Sequence, residues 1–437
     1  MVYLDHAATT PISEVALAAL IEASQLLGNA SSLHTSGRRA RRVVEESREE
    51  IAMAIDAEPS DVIFTSSGTE ANNLALKGLY WQRPNKRILS SAIEHHAVLD
   101  PINWLVQHED AQVTWAKVDQ SARIDSQSVI DDIERNPDIS FISLMAANNE
   151  VGTIQPISEI VEVAHKFGIP VHVDAVQAFG KIPLSFALSN VDAMTISAHK
   201  IGGPLGVGAL IAKKTLALTP VLHGGGQERD VRSGTLNMPS IRAFAVAASE
   251  SIVNLQERHL RVSALRQNLI NRIINEVPQS RCNGSDNQLE MLPGIAHFTF
   301  PGAEGDALLL LLDAQGVEAS TGSACSAGVP RPSHVLLAMG MSESEARASL
   351  RFSLGASSTT ADVDKLVAGR ISLAQTIQMS KSNDALSKMK VSDLLESLPG
   401  VGKVKAIKIM EKCGIANSRR LRGLGAKQIL TLLKELD

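Results

Sequence analysis

His172 to Lys200 reads HVDAVQAFGKIPLSFALSNVDAMTISAHK. An apolar run, Ile169 to Val173, stops at Asp174, and a second, Val191 to Ile196, stops at Ser197, Ala198, His199 and Lys200. Polar residues that follow strands lie at the carboxyl edge of a parallel sheet, where open α/β folds build their sites. Two such edges would offer a carboxylate and an amine to one cavity. That pair suits pyridoxal phosphate, which takes a lysine for its Schiff base and an aspartate to keep its pyridine nitrogen protonated. A structural aspartate and a surface lysine account for the pair equally well, so the rest of the chain has to decide.

Upstream, Asp61 to Thr65 predicts a strand, Ser66-Ser67-Gly68-Thr69 a tight turn, and Glu70 onward an apolar-striped helix. Free amides at such a helix start form an anion site. Ile93-Glu94-His95-His96 follows the β-like run Lys86 to Ser91. Adjacent histidines suggest a metal, but strand neighbours point to opposite faces, so one ligand at most is expected there and no metal site is assigned. Phe141 to Met145 leads to Asn148, Asn149 and Glu150. The repeated pattern of strand, polar edge and helix predicts an α/β chain with a mixed, mainly parallel sheet. Tyr3 to Pro11 reads as an extended arm near the site, and Ser13 as the cap of a helix to about Leu27. Arg38, Arg39, Arg41 and Arg42 could meet nucleic acid, but Glu45 and Glu46 follow at helical spacing, so surface ion pairs are expected.

Downstream, the glycine-rich segments Gly202 to Gly208 and His223 to Thr235 match neither the P-loop nor the dinucleotide fingerprint. Helices from about Pro239 to Val277 lead to a smaller domain. There Cys325, among glycines, serines and prolines in TGSACSAGVPRP, reads as a reachable loop thiol. Arg351 would suit a carboxylate, or a structural ion pair. The chain has 437 residues, 44% apolar and 20% charged, with net charge −5. It therefore reads as an ordinary soluble protein of two or three domains. No apolar run is long enough to span a membrane, and no signal peptide is evident. Cys282, Cys325 and Cys413 are too few and too scattered for a disulfide framework, so a cytoplasmic setting is expected.

From Tyr3 to about Asp364 the chain resembles the pyridoxal-phosphate cysteine desulfurases of the class-V aminotransferase family, in the class with a long mobile cysteine loop. The resemblance rests on YLDHAATTP, GNASSLH, SSGTEANN, EHHAVLD, NNEVG, HVDAVQAFGK, SAHK, HGGGQERDVRSGT, STGSAC and LRFSLG, in that order. It implies fold type I: a large domain over 14–260, and a small domain from 1–13 and 261–380 carrying the cysteine loop. Lys200 would hold the cofactor, Asp174 would pair with the ring nitrogen, Gln177 would meet the ring hydroxyl, and His95 would stack on the ring and move protons. Gly68, Thr69, Ser197 and His199 would surround the phosphate, with Thr235 supplied across a homodimer. Asn149 and Arg351 would bind L-cysteine. Cys325 would attack its sulfur, leaving alanine and a persulfide for a sulfur-acceptor protein, such as an iron–sulfur scaffold or a thiolation enzyme. A selenocysteine lyase or transaminase is the rival enzyme reading, which a mobile Cys325 disfavours.

The last stretch, 386–437, carries net charge +6 against −11 for the remainder. Asp393 to Lys403 and Val404 to Met410 predict two helices around a tight hairpin, with Gly400 and Gly402 admitting a phosphate and Lys403, Lys405 and Lys408 supplying charge. This resembles a helix-hairpin-helix module, and KMKVSDLLESLPGVGKVKAIKIMEKCGIANSRRLRGLG is similar to the carboxyl half of the actinobacterial integration host factor. That resemblance implies DNA or RNA contact through phosphates, with Arg419, Arg420 and Arg422 as a second patch. A protein-docking role, or an architectural DNA-binding protein with a dormant enzyme domain, is the alternative, and intact Lys200, Asp174 and Cys325 oppose the latter. Cys413 is expected in the module's core.

Overall fold

A computed structural model describes residues 1–322, 331–368, 384–396, 398 and 401–436. They form two compact units. One comprises Met1–Asp5, Val262–Gly284 and Gly294–Asp437, the other His6–Arg261 and Ser285–Pro293.

The second unit is built on a seven-stranded sheet. Its strands are β2 (Val62–Thr65), β3 (Arg87–Ser91), β4 (Gln112–Ala116), β5 (Ile139–Met145), β6 (Val171–Asp174), β7 (Ala193–Ser197) and β8 (Gly208–Ala212). Their order is β2-β8-β7-β6-β5-β3-β4. All neighbours are parallel except β8, which runs antiparallel to both β2 and β7. Strands β5, β6, β7 and β8 are buried along their whole length, as strands covered by helices on both faces must be. Helix Gly68–Gln82 contributes Ala71, Leu74, Ala75, Leu76, Leu79 and Tyr80 to the core over this sheet.

Where the elements depart from the sequence reading, the departures have local causes. Ser13 does cap a helix, Glu14–Ser24. Of the surface arginines, Arg42 pairs with Glu46 at 2.7 Å, whereas Arg41 donates to the Ala30 carbonyl instead. His95 and His96 are not strand neighbours. Strand β3 ends at Ser91, His95 caps helix His96–His108 through Nδ1, and His96 faces Asp100 one turn on.

In the other unit a three-stranded sheet orders β12 (Ser349–Ser353), β10 (Ile295–Thr299) and β9 (Arg281–Asn283), all antiparallel. A parallel pair, β1 (Val2–Tyr3) with β11 (Val317–Glu318), joins the amino terminus to it. Helix Gly305–Ala314 carries five consecutive leucines, Leu308 to Leu312. Apart from the stripe of exposed Asp306 and Asp313, its leucines face more than one way and need cover on two sides. Leu308, Leu309 and Leu312 pack on the core formed with Phe298, Leu350 and Phe352. Ala307, Leu310, Leu311 and Ala314 pack into a separate core with Leu386, Leu394, Leu395, Met410 and Leu432.

That separate core belongs to the carboxyl-terminal segment. Its helices are Asp384–Lys388, Val391–Glu396, Lys403–Lys412 and Ala426–Leu436. The two hairpin helices are as expected, and Cys413 is buried among them. The end of the expected small domain, residues 369–380, lies outside the described residues. Because the segment closes its core on helix Gly305–Ala314, removing 384–437 should uncover an apolar face. The shortened protein should bind more of a hydrophobic dye than the full chain and aggregate at lower temperature. Unchanged dye binding would show that this face needs no cover.

Candidate active site

Strand directions decide where the chemistry gathers. Strands β3, β5, β6 and β7 are parallel, and β2 shares their direction because β8 opposes both β2 and β7. All five therefore end at one edge. Beyond it follow Gly68 and Thr69, His95, Asn149, Asp174 with Gln177, and Ser197 to Lys200. This is the carboxyl edge at which open α/β sheets bind ligands.

Asp174 is buried, and both carboxylate oxygens have donors. Oδ2 accepts from Asn72 Nδ2 at 2.7 Å, and Oδ1 from the Val176 amide at 3.0 Å. Asn72 is a site residue that sequence reasoning missed. The available signal was its spacing: it follows Gly68 by four residues and so shares the helix face turned to the sheet edge. Beneath Asp174 a hydrogen-bonded row crosses four strands. Ser90 donates to the Ser143 carbonyl, Ser143 Oγ meets His172 Nδ1 at 2.9 Å, and His172 Nε2 meets Thr195 Oγ1 at 3.0 Å. Burial lowers the His172 pKa from 6.5 to about 3, so the ring is neutral at pH 7.

Lys200 follows β7 in a short 3₁₀ turn, Ala198–Lys200. Its Nζ donates to the carbonyls of Ala7 and Ala8 at 2.6 and 2.7 Å. The amino-terminal arm thus runs beside the lysine, tied again by Thr10 N to His199 O and Ser13 N to Gly202 O. Gln177 donates to the same arm at Ala7 O, 2.8 Å away, and accepts from Lys181 Nζ. His199 Nδ1 meets Thr9 Oγ1 at 3.3 Å. Burial, then the positive charges of Lys200 and Lys181, lower the His199 pKa from 6.5 to about 4. Its imidazole is therefore neutral at pH 7 and suited to hydrogen bonding.

The helix start fits an anion. Ser67 caps it, its Oγ accepting the Glu70 amide, while Ala71 N reaches Ser67 O. The leading amides of Gly68 and Thr69 are left for a ligand. A Cβ on Gly68 would fall 2.9 Å from Val176 Cγ2 and 3.4 Å from Ser197 Cβ, so three motifs close on one point. The Ser197 hydroxyl is buried there with no hydrogen-bond partner among the described residues. An orphaned hydroxyl beside a helix start and a neutral imidazole is a donor set for a phosphate. With Lys200 and a buried carboxylate at the same edge, these residues fit pyridoxal phosphate.

The remaining predicted residues are placed as follows. His95 is exposed at its helix cap. Asn149 occupies the turn after β5, where Asn148 Oδ1 accepts the amides of Glu150 and Val151. Thr235 is exposed at the end of a loop that Arg232 ties to Glu70 at 2.7 Å. Arg351 belongs to the other unit, in β12, where its Nη2 donates to Asp5 Oδ1 at 2.8 Å. Cys325 and Gly400 lie outside the described residues. In the carboxyl-terminal segment Gly402 caps helix Lys403–Lys412, and Lys405 and Arg419 are exposed. Lys403 and Arg420 line a cleft of ≈ 570 Å³ that Glu304, Asp306, Asp393 and Glu396 also line. Among the described residues no acidic, histidine or cysteine cluster could hold a metal ion. Among them, too, no helix is long and apolar enough to cross a membrane.

Comparison with known proteins agrees with this geometry. Residues 2–366 match the family model "Aminotransferase class-V", and residues 366–436 match "S13-like H2TH domain". An IscS-like cysteine desulfurase of Mycobacterium tuberculosis is 51% identical over 369 residues, 83% of this chain and 94% of that protein. A solved NifS-like protein from Rickettsia africae superposes with a TM-score of 0.76 at 33% identity, covering 84% of this chain and 98% of its own. A structure described as SspA in complex with cysteine superposes at 0.71 with 34% identity, covering 81% and 99%. The chain belongs to the class-V aminotransferase family. Within that family it falls among the pyridoxal-phosphate-dependent cysteine desulfurases.

Asn72→Ala should loosen the cofactor, because a hydrogen bond to a charged group contributes about 1.5–3 kcal/mol. A titration of the apoprotein with pyridoxal phosphate should show affinity falling by roughly ten- to a hundredfold. Equal affinity would mean that Val176 N alone suffices.

Proposed function

We propose that this chain converts L-cysteine to L-alanine and carries the sulfur as a persulfide on Cys325. When bound, pyridoxal phosphate supplies a protonated ring that draws electrons from the substrate. Lys200 anchors it, Asp174 keeps its ring nitrogen protonated, and Gln177 meets its ring hydroxyl. Gly68, Thr69, Ser197 and His199 hold the phosphate, with Thr235 contributed across a homodimer. Asn149 and Arg351 bind the substrate, Arg351 at its carboxylate, while Asp5 steadies the guanidinium. His95 accepts the Ala97 amide at Nδ1, so its neutral ring carries the proton on Nε2, the atom that would give one up. The Cys325 thiolate forms an S–S bond to the substrate sulfur as the carbon–sulfur bond breaks, and the electron pair stays on carbon, which becomes alanine.

The observation that carries this reading is the meeting of Lys200, Asp174 and the Gly68 helix start at one sheet edge. Cys325→Ser should keep the bound cofactor's absorbance yet release no sulfide from cysteine, while Cys282→Ser should stay active. Sulfide release by Cys325→Ser at the wild-type rate would overturn the persulfide step.

The sulfur's destination belongs to the same proposal. An iron–sulfur scaffold or a thiolation enzyme in the cytoplasm would accept it. The carboxyl-terminal segment, read by its resemblance to the actinobacterial integration host factor, would hold DNA or structured RNA through phosphates. Its net charge of +6 and its exposed Lys405, Lys408, Arg419 and Arg422 support that reading. Replacing Lys405, Arg419 and Arg422 with Ala should weaken retardation of DNA similarly across sequences and flatten its salt dependence. If the full chain retards neither DNA nor tRNA at low salt, the segment is a protein-docking face.

A further inference from the structure

Beside the His95 loop lies a carboxyl group that the proposed reaction does not use. Glu94 is wholly buried, and its Oε1 accepts the Met145 amide at 2.9 Å. Met145 ends β5 and pairs in register with Asp174, which ends β6. Burial holds the Glu94 carboxyl well above its usual range despite the Met145 amide, and the nearby Asp174 charge adds to the rise. Both effects favour the neutral form of the carboxyl beside Asp174.

The joint is made twice. Asn148 Nδ2 donates to the Ile93 carbonyl at 3.1 Å, so residues 93 and 94 are tied to residues 148 and 145. These ties matter because the β3–β5 pairing runs only to Leu89 and Ile142. Beyond it the ladder no longer sets the spacing of the two loops, and side chains must do so.

We infer that Glu94 is a positioning residue, its buried carboxyl bridging the two loops so that His95 and Asn149 are fixed relative to Asp174. The inference rests on the reading of His95 and Asn149 as site residues. Glutamine at this position would keep the accepting oxygen, whereas alanine would remove it and leave the Met145 amide buried without that acceptor.

The test compares Glu94→Gln and Glu94→Ala as holoenzymes, with turnover expressed per bound cofactor. Displaced reacting groups cost about a hundredfold in rate, so Glu94→Ala should lose kcat on that order with KM little changed. Glu94→Gln should recover most of it. A merely structural Glu94 would lower the melting temperature and leave kcat per bound cofactor at the wild-type value, which would overturn the inference. A Gln variant as slow as the Ala variant would also overturn it, since the accepting oxygen that glutamine keeps would then not be what positions the loops. Should Glu94→Ala fail to fold, Asn148→Asp carries the test, because it loses the donor to Ile93 while keeping an acceptor for Glu150 and Val151. Reduced kcat per bound cofactor supports the inference and wild-type kcat refutes it. His95→Ala is assayed alongside: full turnover there would fail the reading of His95 itself, independently of Glu94.

Discussion

Asp174 sets the terms for the large unit. A carboxylate taken out of water must find donors in the protein, and here they come from Asn72 and Val176. To deliver Asn72, helix Gly68–Gln82 has to approach the ends of β6 and β7 closely. Two glycines permit it. A Cβ on Gly208 would lie 2.8 Å from the Ser67 carbonyl carbon, and one on Gly68 2.9 Å from Val176. The same approach brings the helix start, Ser197 and Asp174 together, so one packing constraint places both the helix's leading amides and the carboxylate.

Rigidity comes from below. The row Ser90, Ser143, His172 and Thr195 spends its polar groups on one another across four adjacent strands. Satisfied polar networks of this kind favour one arrangement over slipped alternatives. A one-residue slip of β6 would turn His172 and Asp174 to the opposite face together, which couples the core's register to the position of the buried carboxylate.

Much of this was legible in the chain. Polar residues after apolar runs marked the strand ends, because that junction is where a parallel sheet stops and a site begins. Gly68 marked the helix start because a turn between strand and helix requires a small residue. Asn72 was missed as a donor: a polar residue inside a helix usually faces water, and its spacing from Gly68 was the one signal against that. Glu94 was hidden because a glutamate in a loop usually faces water, whereas this one is wholly buried. Leu308 to Leu312 is apolar without interruption, and a run of leucines has no direction. Which side faced Phe298 and which faced Leu394 depended on residues eighty positions away. An ion pair at Arg351 was one of the two readings the sequence left open, but its partner Asp5 was not legible, because 346 residues separate them.

The helix Gly305–Ala314 also has a history within each molecule's synthesis. It leaves the ribosome well before the residues that cover its second face, of which Leu432 is among the last. At 5–20 residues per second the delay is roughly ten seconds. Throughout that interval Leu310 and Leu311 have no cover from the segment, and transiently exposed apolar surface of this kind is prone to aggregate.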